Sequence, residues 1–90
     1  MEELCFRYAK ESDTALILQF IKELAEYEKM LDEVIATEEI LKEWIFEKNK
    51  AEVIFVLENG KEVGFALFFH NFSTFLGRAG VYLEDLYLKP

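Results

Sequence analysis

The sequence predicts an α+β fold in the order β-α-α-β-β-β, its last three strands forming an antiparallel meander. Three observations carry that prediction. Apolar residues recur every three or four positions through the first half of the chain, as on one face of a helix. From Val53 onward they run continuously or alternate, and β-branched and aromatic side chains prevail. Asn59-Gly60 separates two such runs, and that pair tolerates the positive φ angles of a tight hairpin turn.

Leu4 to Tyr8 is a short β-prone run and is expected to form the first strand. Ser12 or Asp13 can cap the helix that follows, because either side chain can accept from an amide two or three residues on. That helix is expected to present Ile17, Phe20, Ile21, Leu24, Tyr27, Glu28 and Leu31 on one face, with Glu28 the exception to its apolar or aromatic character. A second helix is expected to start at the N-cap Thr37 and to run through Ile40, Leu41, Trp44 and Ile45. Glu38 and Glu39 lie in its first turn, where negative charge complements the exposed amides. Val53 to Leu57 then forms a strand, and Glu62 to about Phe69 returns as a strand so apolar that burial on both faces is expected. His70 to Gly80 reads as a loop, and Val81 to Leu88 as the last strand.

Ninety residues make one domain, 1–90, on the small side of the usual range. Apolar residues are 52%, which is too many for a disordered chain. Eighteen acids against ten bases leave −8, a charge that repels phosphate and argues against nucleic acid as a partner. The single cysteine, Cys5, excludes an internal disulfide and a cysteine zinc site; it reads as a small packing residue. The lone His70 reads as structural, so no metal is expected. No apolar run has the length of a membrane span, and Glu2 and Glu3 stand where a signal peptide would carry positive charge. A cytoplasmic location is the expectation.

Tyr82-Leu83-Glu84-Asp85-Leu86-Tyr87-Leu88 is the stretch richest in chemistry. Two adjacent carboxylates interrupt an otherwise apolar strand, where acids are depleted. Strand alternation sends them to opposite faces, which precludes a shared proton. Two readings are open. Asp85 can lie on a solvated face with Glu84 paired to a Lys or Arg, or one of the two can face a cleft as a base or cation ligand.

These residues also carry a resemblance. Ile21 to Glu28, Val63-Gly64-Phe65-Ala66, Tyr82 to Asp85 and the stretch Asn71 to Arg78 occur in the order and spacing of one family. From Phe6 to Pro90 the chain resembles the N-terminal, substrate-side half of a GNAT-superfamily N-acetyltransferase, in the branch of diamine and thialysine acetyltransferases. The resemblance implies acetyl-CoA as co-substrate and a small amine as acceptor. It implies Glu84 as the catalytic base that takes the amine's proton. It also implies Tyr27, Glu28, Glu84 and Asp85 as substrate contacts, and Leu86, Tyr87 and Leu88 as backbone contacts to acetyl-CoA. Two departures stand out. Ser73, Thr74, Phe75 and Leu76 occupy the place of an acid and a tryptophan found beside the substrate in polyamine-type members. No Arg/Gln-x-x-Gly-x-Gly/Ala phosphate loop is present among the ninety residues. The expectation is therefore an incomplete GNAT-like domain, inactive alone, with an open strand edge that favours homo-oligomers. The alternative is a non-catalytic remnant that serves as a self-associating or binding domain.

Overall fold

The computed structural model describes residues 4–75 and 77–90, without the side chains of residues 72 and 73; the sequence readings at Glu2, Glu3 and Leu76 lie outside the described residues. Its strands are β1 (Leu4–Tyr8), β2 (Glu52–Glu58), β3 (Lys61–Ser73) and β4 (Arg78–Leu88), and its helices are α1 (Thr14–Tyr27) and α2 (Glu38–Leu41). A 3-10 turn, Glu11–Asp13, precedes α1, a second one, Leu31–Glu33, precedes α2, and α2 runs on into a π-helical turn, Lys42–Glu47. The strands form one antiparallel sheet in the order β1-β2-β3-β4. The expected α+β order and meander are both present.

One face of the sheet packs on the helices. Ile17 and Phe20 of α1, Leu41 of α2 and Ile45 of the π-helical turn meet Val53, Phe55, Phe65 and Tyr87 from β2, β3 and β4. Phe20 sits at the centre, stacked on Phe65 and edge-on to Phe55. The other face is uncovered. Phe6 and Tyr8 of β1 and Leu86 and Leu88 of β4 are exposed, and register places them on the same side as Val56, Ile54, Ala66 and Gly64. The expectation that β3 is buried on both faces is thus corrected: its continuous apolar run serves a core on one side and an open apolar surface on the other.

Four further expectations are revised. Helix α1 stops at Tyr27 instead of continuing to Leu31. Lys29 adopts φ 60, its amide donates to Glu26 and the Met30 amide donates to Ala25, the pairing of a Schellman stop. The His70–Gly80 loop is mostly strand, since His70–Ser73 pair with Arg78–Val81. Cys5 is exposed and does not pack in the core. Neither Ser12 nor Asp13 caps α1 by its side chain; the Asp13 carboxylate accepts from the Lys10 amide and from Arg7 instead. Thr37 does cap α2, accepting from the Ile40 amide at 3.2 Å. Asn59 and Gly60 take the expected positive φ, 51 and 83.

Arg7 ties β1 to two other elements. Its guanidinium makes a two-pronged bond to Asp13 at 2.8 and 3.0 Å, reaches Glu62 of β3 at 2.7 Å and lies over the Phe55 ring. Hydrogen bonds from Arg7 hold both carboxyls below their ordinary range. The unfolded chain therefore takes up protons first as pH falls. Stability from this cluster is complete above about pH 5 and drains away through pH 4 and below. Arg7→Met is expected to cost about 2 kcal/mol at neutral pH and to flatten the acid limb of a plot of melting temperature against pH. An equally steep limb in the variant would show that other carboxylates govern acid unfolding.

Candidate functional site at the α1–β4 seam

The end of α1 and the end of β4 run past each other, and two hollows lie along the seam. The first, about 210 Å³, is lined by Ile21, Leu24, Ala25, Glu28, Met30, Glu33, Val34 and Asp85. The second, about 290 Å³, is lined by Leu24, Tyr27, Leu86, Tyr87, Leu88 and Pro90. Leu24 is the shared wall. Ile21, Leu24 and Glu28 reach the seam because three- and four-residue spacing puts them on one helical face. Met30, Glu33 and Val34 reach it because the Lys29 reversal folds the chain back across the end of α1.

Glu84 owes its position to a break in the ladder. Leu67 pairs with Asp85 and Phe68 with Leu83, so Glu84 is the extra residue of a β-bulge. The bulge shifts the alternation. Asp85 and Tyr87 lie on the helix side with Leu67 and Phe65, while beyond the bulge Tyr82 takes that side and stacks on Phe69 at 5.0 Å. The strict alternation expected for Glu84 and Asp85 is therefore interrupted at Glu84 itself. Asp85 is half-buried in the first hollow. Loss of water, then the charges of Glu84 and Glu28, push its carboxyl above the ordinary range.

The structure thus brings Glu28 and Asp85 together in the first hollow, and Tyr27 with Leu86, Tyr87 and Leu88 in the second. Tyr27 is 78% exposed, so it lies on the expected apolar helix face without packing into the core. Glu84 is exposed on the bulge and lines neither hollow. Ile21, Leu24, Met30, Glu33 and Val34 were not singled out as site residues by the sequence. Helical spacing could have found the first two, whereas the others depend on where α1 stops. Chemically, an apolar hollow edged by carboxylates suits an alkyl ammonium ion, with methylenes against Ile21 and Leu24 and the charge toward Asp85 or Glu28. Among the described residues no group of three or more His, Cys, Asp or Glu could hold a metal ion, and no helix is long and apolar enough to cross a membrane.

Gly64 governs how closely β4 approaches. It is buried opposite Leu88, and a Cβ there would stand 2.2 Å from the Tyr87 carbonyl oxygen. Gly64→Ala must push the end of β4 outward, at an expected cost of about 2–3 kcal/mol. A thermal melt checks it; an unchanged midpoint would mean that the strand end yields freely.

Comparison with known proteins supplies a lineage. No protein-family model matches the chain. It is 39% identical over 99 aligned residues to a thialysine N-epsilon-acetyltransferase of Sus scrofa, with all of this chain and 58% of that protein covered. To the protein of the same name from Caenorhabditis elegans it is 40% identical over 75 residues, covering 82% of this chain and 45% of the relative. Among solved structures, a ribosomal-protein-alanine N-acetyltransferase from Brucella melitensis biovar Abortus 2308 superposes with a TM-score of 0.74 at 15% identity, covering 97% of this chain and 58% of that one. An aminoglycoside acetyltransferase from an uncultured soil metagenomic sample, in complex with sisomicin, gives 0.75 at 21% identity, covering 96% and 56%. The chain spans about half the length of these proteins, from 45% to 58%. With the α+β order, the four-stranded antiparallel sheet and matches of this extent, the chain is similar along its whole length to part of a thialysine N-epsilon-acetyltransferase and has the fold of a partial GNAT domain.

Proposed function

We propose that the protein is an N-acetyltransferase that moves the acetyl group of acetyl-CoA to a small primary amine such as a diamine, polyamine or amino-acid analogue. The observation that carries this reading is the carboxylate-edged hollow at the α1–β4 seam. A protonated amine must lose a proton before its nitrogen can attack. Asp85 and Glu28 are placed to bind the ammonium, and Glu84 on the adjoining bulge is placed to take the proton through water. Acetyl-CoA, when bound, supplies the activated thioester carbonyl, whose carbon–sulfur bond breaks as the carbon–nitrogen bond forms. The fit of this chain to acetyl-CoA is partial. The hollow beside Leu86–Leu88, on an edge strand with unpaired backbone groups, suits an acyl chain and its carbonyl. Among the described residues, none forms a glycine-rich turn opening a helix for the pyrophosphate. Acetyl-CoA titrated calorimetrically into the chain is accordingly expected to bind weakly. An amine panel followed by thiol release tests the transfer itself; no release with any primary amine would overturn catalysis by this chain.

A second reading has its own support. The uncovered sheet face, with Phe6 at 70% exposure beside Tyr8, Leu86 and Leu88, favours a self-associating remnant that forms homo-oligomers. Sedimentation over a concentration series separates the two: a monomer at ~100 μM with a cooperative melt would remove the second. Either reading places the protein in the reducing cytoplasm, where an exposed cysteine stays a thiol.

A further inference from the structure

The seam that holds both hollows has few fasteners. β4 is an edge strand, paired to β3 alone, and its twist about β3 is not fixed from its other side. Of the eleven residues of β4 only Tyr87 is buried. On α1 its ring meets Phe20 and its hydroxyl meets Glu23. The Tyr87 hydroxyl donates to Glu23 Oε1 at 3.0 Å. Glu23 Oε2 accepts from Gln19 Nε2 at 2.9 Å and lies 3.8 Å from Lys89 Nζ. Lys89 in turn donates its amide to the Val63 carbonyl and rests its ammonium over the Phe20 ring. One carboxylate thus gathers the anchor of β4, the residue just past its end and the previous turn of α1. Its neighbour in sequence is Leu24, the wall between the hollows.

We propose that Glu23 is a positioning residue for acetyl transfer: by holding Tyr87 and Lys89 to α1 it sets the width of the seam in which amine and thioester meet. This rests on the acetyltransferase reading above. Glu23 touches neither hollow of the seam and contributes no apolar area to the core, so its removal leaves Phe20, Phe55 and Phe65 packed. What it removes is the polar partner of a part-buried hydroxyl and the counter-charge of Lys89.

The test compares Glu23→Leu, Glu23→Gln and Tyr87→Phe in the full chain. In Glu23→Leu, amide exchange at Leu86–Lys89 should rise about tenfold relative to Val53–Leu57. Glu23→Gln keeps an acceptor for the hydroxyl and should restore most of the protection. Tyr87→Phe should raise exchange there to a lesser extent, since Glu23 still faces Lys89, and the double variant should add nothing to Glu23→Leu. Burial, and then the bond to Glu23, raise the Tyr87 hydroxyl above the usual tyrosine range; an NMR titration of its ring should move back toward that range in Glu23→Leu. If the wild-type chain releases thiol, Glu23→Leu should also raise KM for the amine about tenfold, a change that partial unfolding would not give. Unchanged exchange at Leu86–Lys89, or an active chain whose Glu23→Leu variant keeps the wild-type KM, overturns the proposal. Wild-type turnover decides the acetyltransferase reading separately, because exchange and titration report on Glu23 in an active or an inactive chain alike.

Discussion

Phe20→Ala is expected to remove about 4 kcal/mol of stability, a large share of what a domain of this size possesses at roughly 0.05–0.15 kcal/mol per residue. Phe20 is fully buried. Its ring centroid lies 5.9 Å from Phe65, 6.0 Å from Phe55 and 6.1 Å from Tyr87, so it joins α1 to three neighbouring strands. Truncation loses both the transfer energy of the ring and its aromatic contacts, and leaves a void that rigid strands cannot close. Urea unfolding measures the loss. Phe20→Leu fills most of the void and should forfeit far less. A deficit below about 1 kcal/mol for the alanine variant would show that the core closes without this ring.

The second large effect concerns the two carboxylates of β4, and they are expected to part company. In an acetyl-transferring form, Glu84→Gln should lower turnover by about 10²–10⁴, the usual range for loss of a general base, and shift the pH–rate profile to higher pH. Asp85→Asn should weaken amine binding and also raise the melting temperature at pH 7. The sign follows from the direction of the Asp85 shift. A carboxyl held above its ordinary range binds its proton more tightly when folded. Its contribution to stability is complete below the unfolded value near pH 4 and is lost as pH rises through the folded value. At neutral pH the ionised Asp85 is therefore a burden that asparagine relieves. Paired steady-state and melting measurements on both variants check this. A Glu84→Gln enzyme with wild-type turnover and pH profile would place the proton's acceptor elsewhere, and an Asp85→Asn protein less stable at pH 7 would show that the carboxylate has a partner.

The α+β order was legible because hydrophobic period changes at Val53 and because Asn59-Gly60 carries its own turn geometry. The stop of α1 was not. Most such stops use glycine, and here Lys29 takes the left-handed conformation, so the apolar spacing runs on to Leu31 without a signal. The outer wall of the first hollow, with Met30, Glu33 and Val34, was hidden with it. The His70–Gly80 strands were missed because Asn71, Gly77 and Gly80 read as loop. Cross-strand pairing decides there, and pairing is not visible in one segment alone. Glu28 and Asp85 stood out as acids in apolar stretches, but their roles and that of Tyr27 came through family resemblance, since a carboxylate on a helix or strand looks alike whether it faces water or a hollow. The Tyr87–Glu23 bond joins residues 64 positions apart and has no local trace in either.

The bulge at Glu84 makes β4 a strand with two reading frames. Before it, even-numbered positions address the helices; after it, odd-numbered ones do. Deleting residue 84 and replacing it are therefore different experiments. Replacement alters one carboxylate and leaves every neighbour where it was. Deletion joins Leu83 to Asp85 and restores a single frame in which both arms keep their sides, Leu83 against Phe68 and Tyr82 against Phe69; what is lost is the local bend that the extra residue imposes. A deletion or insertion elsewhere in β4 instead turns one arm over, so a length change away from position 84 is expected to be tolerated less than one at it. In heredity as in the laboratory, the residue count of β4 carries information that the identity of its residues does not.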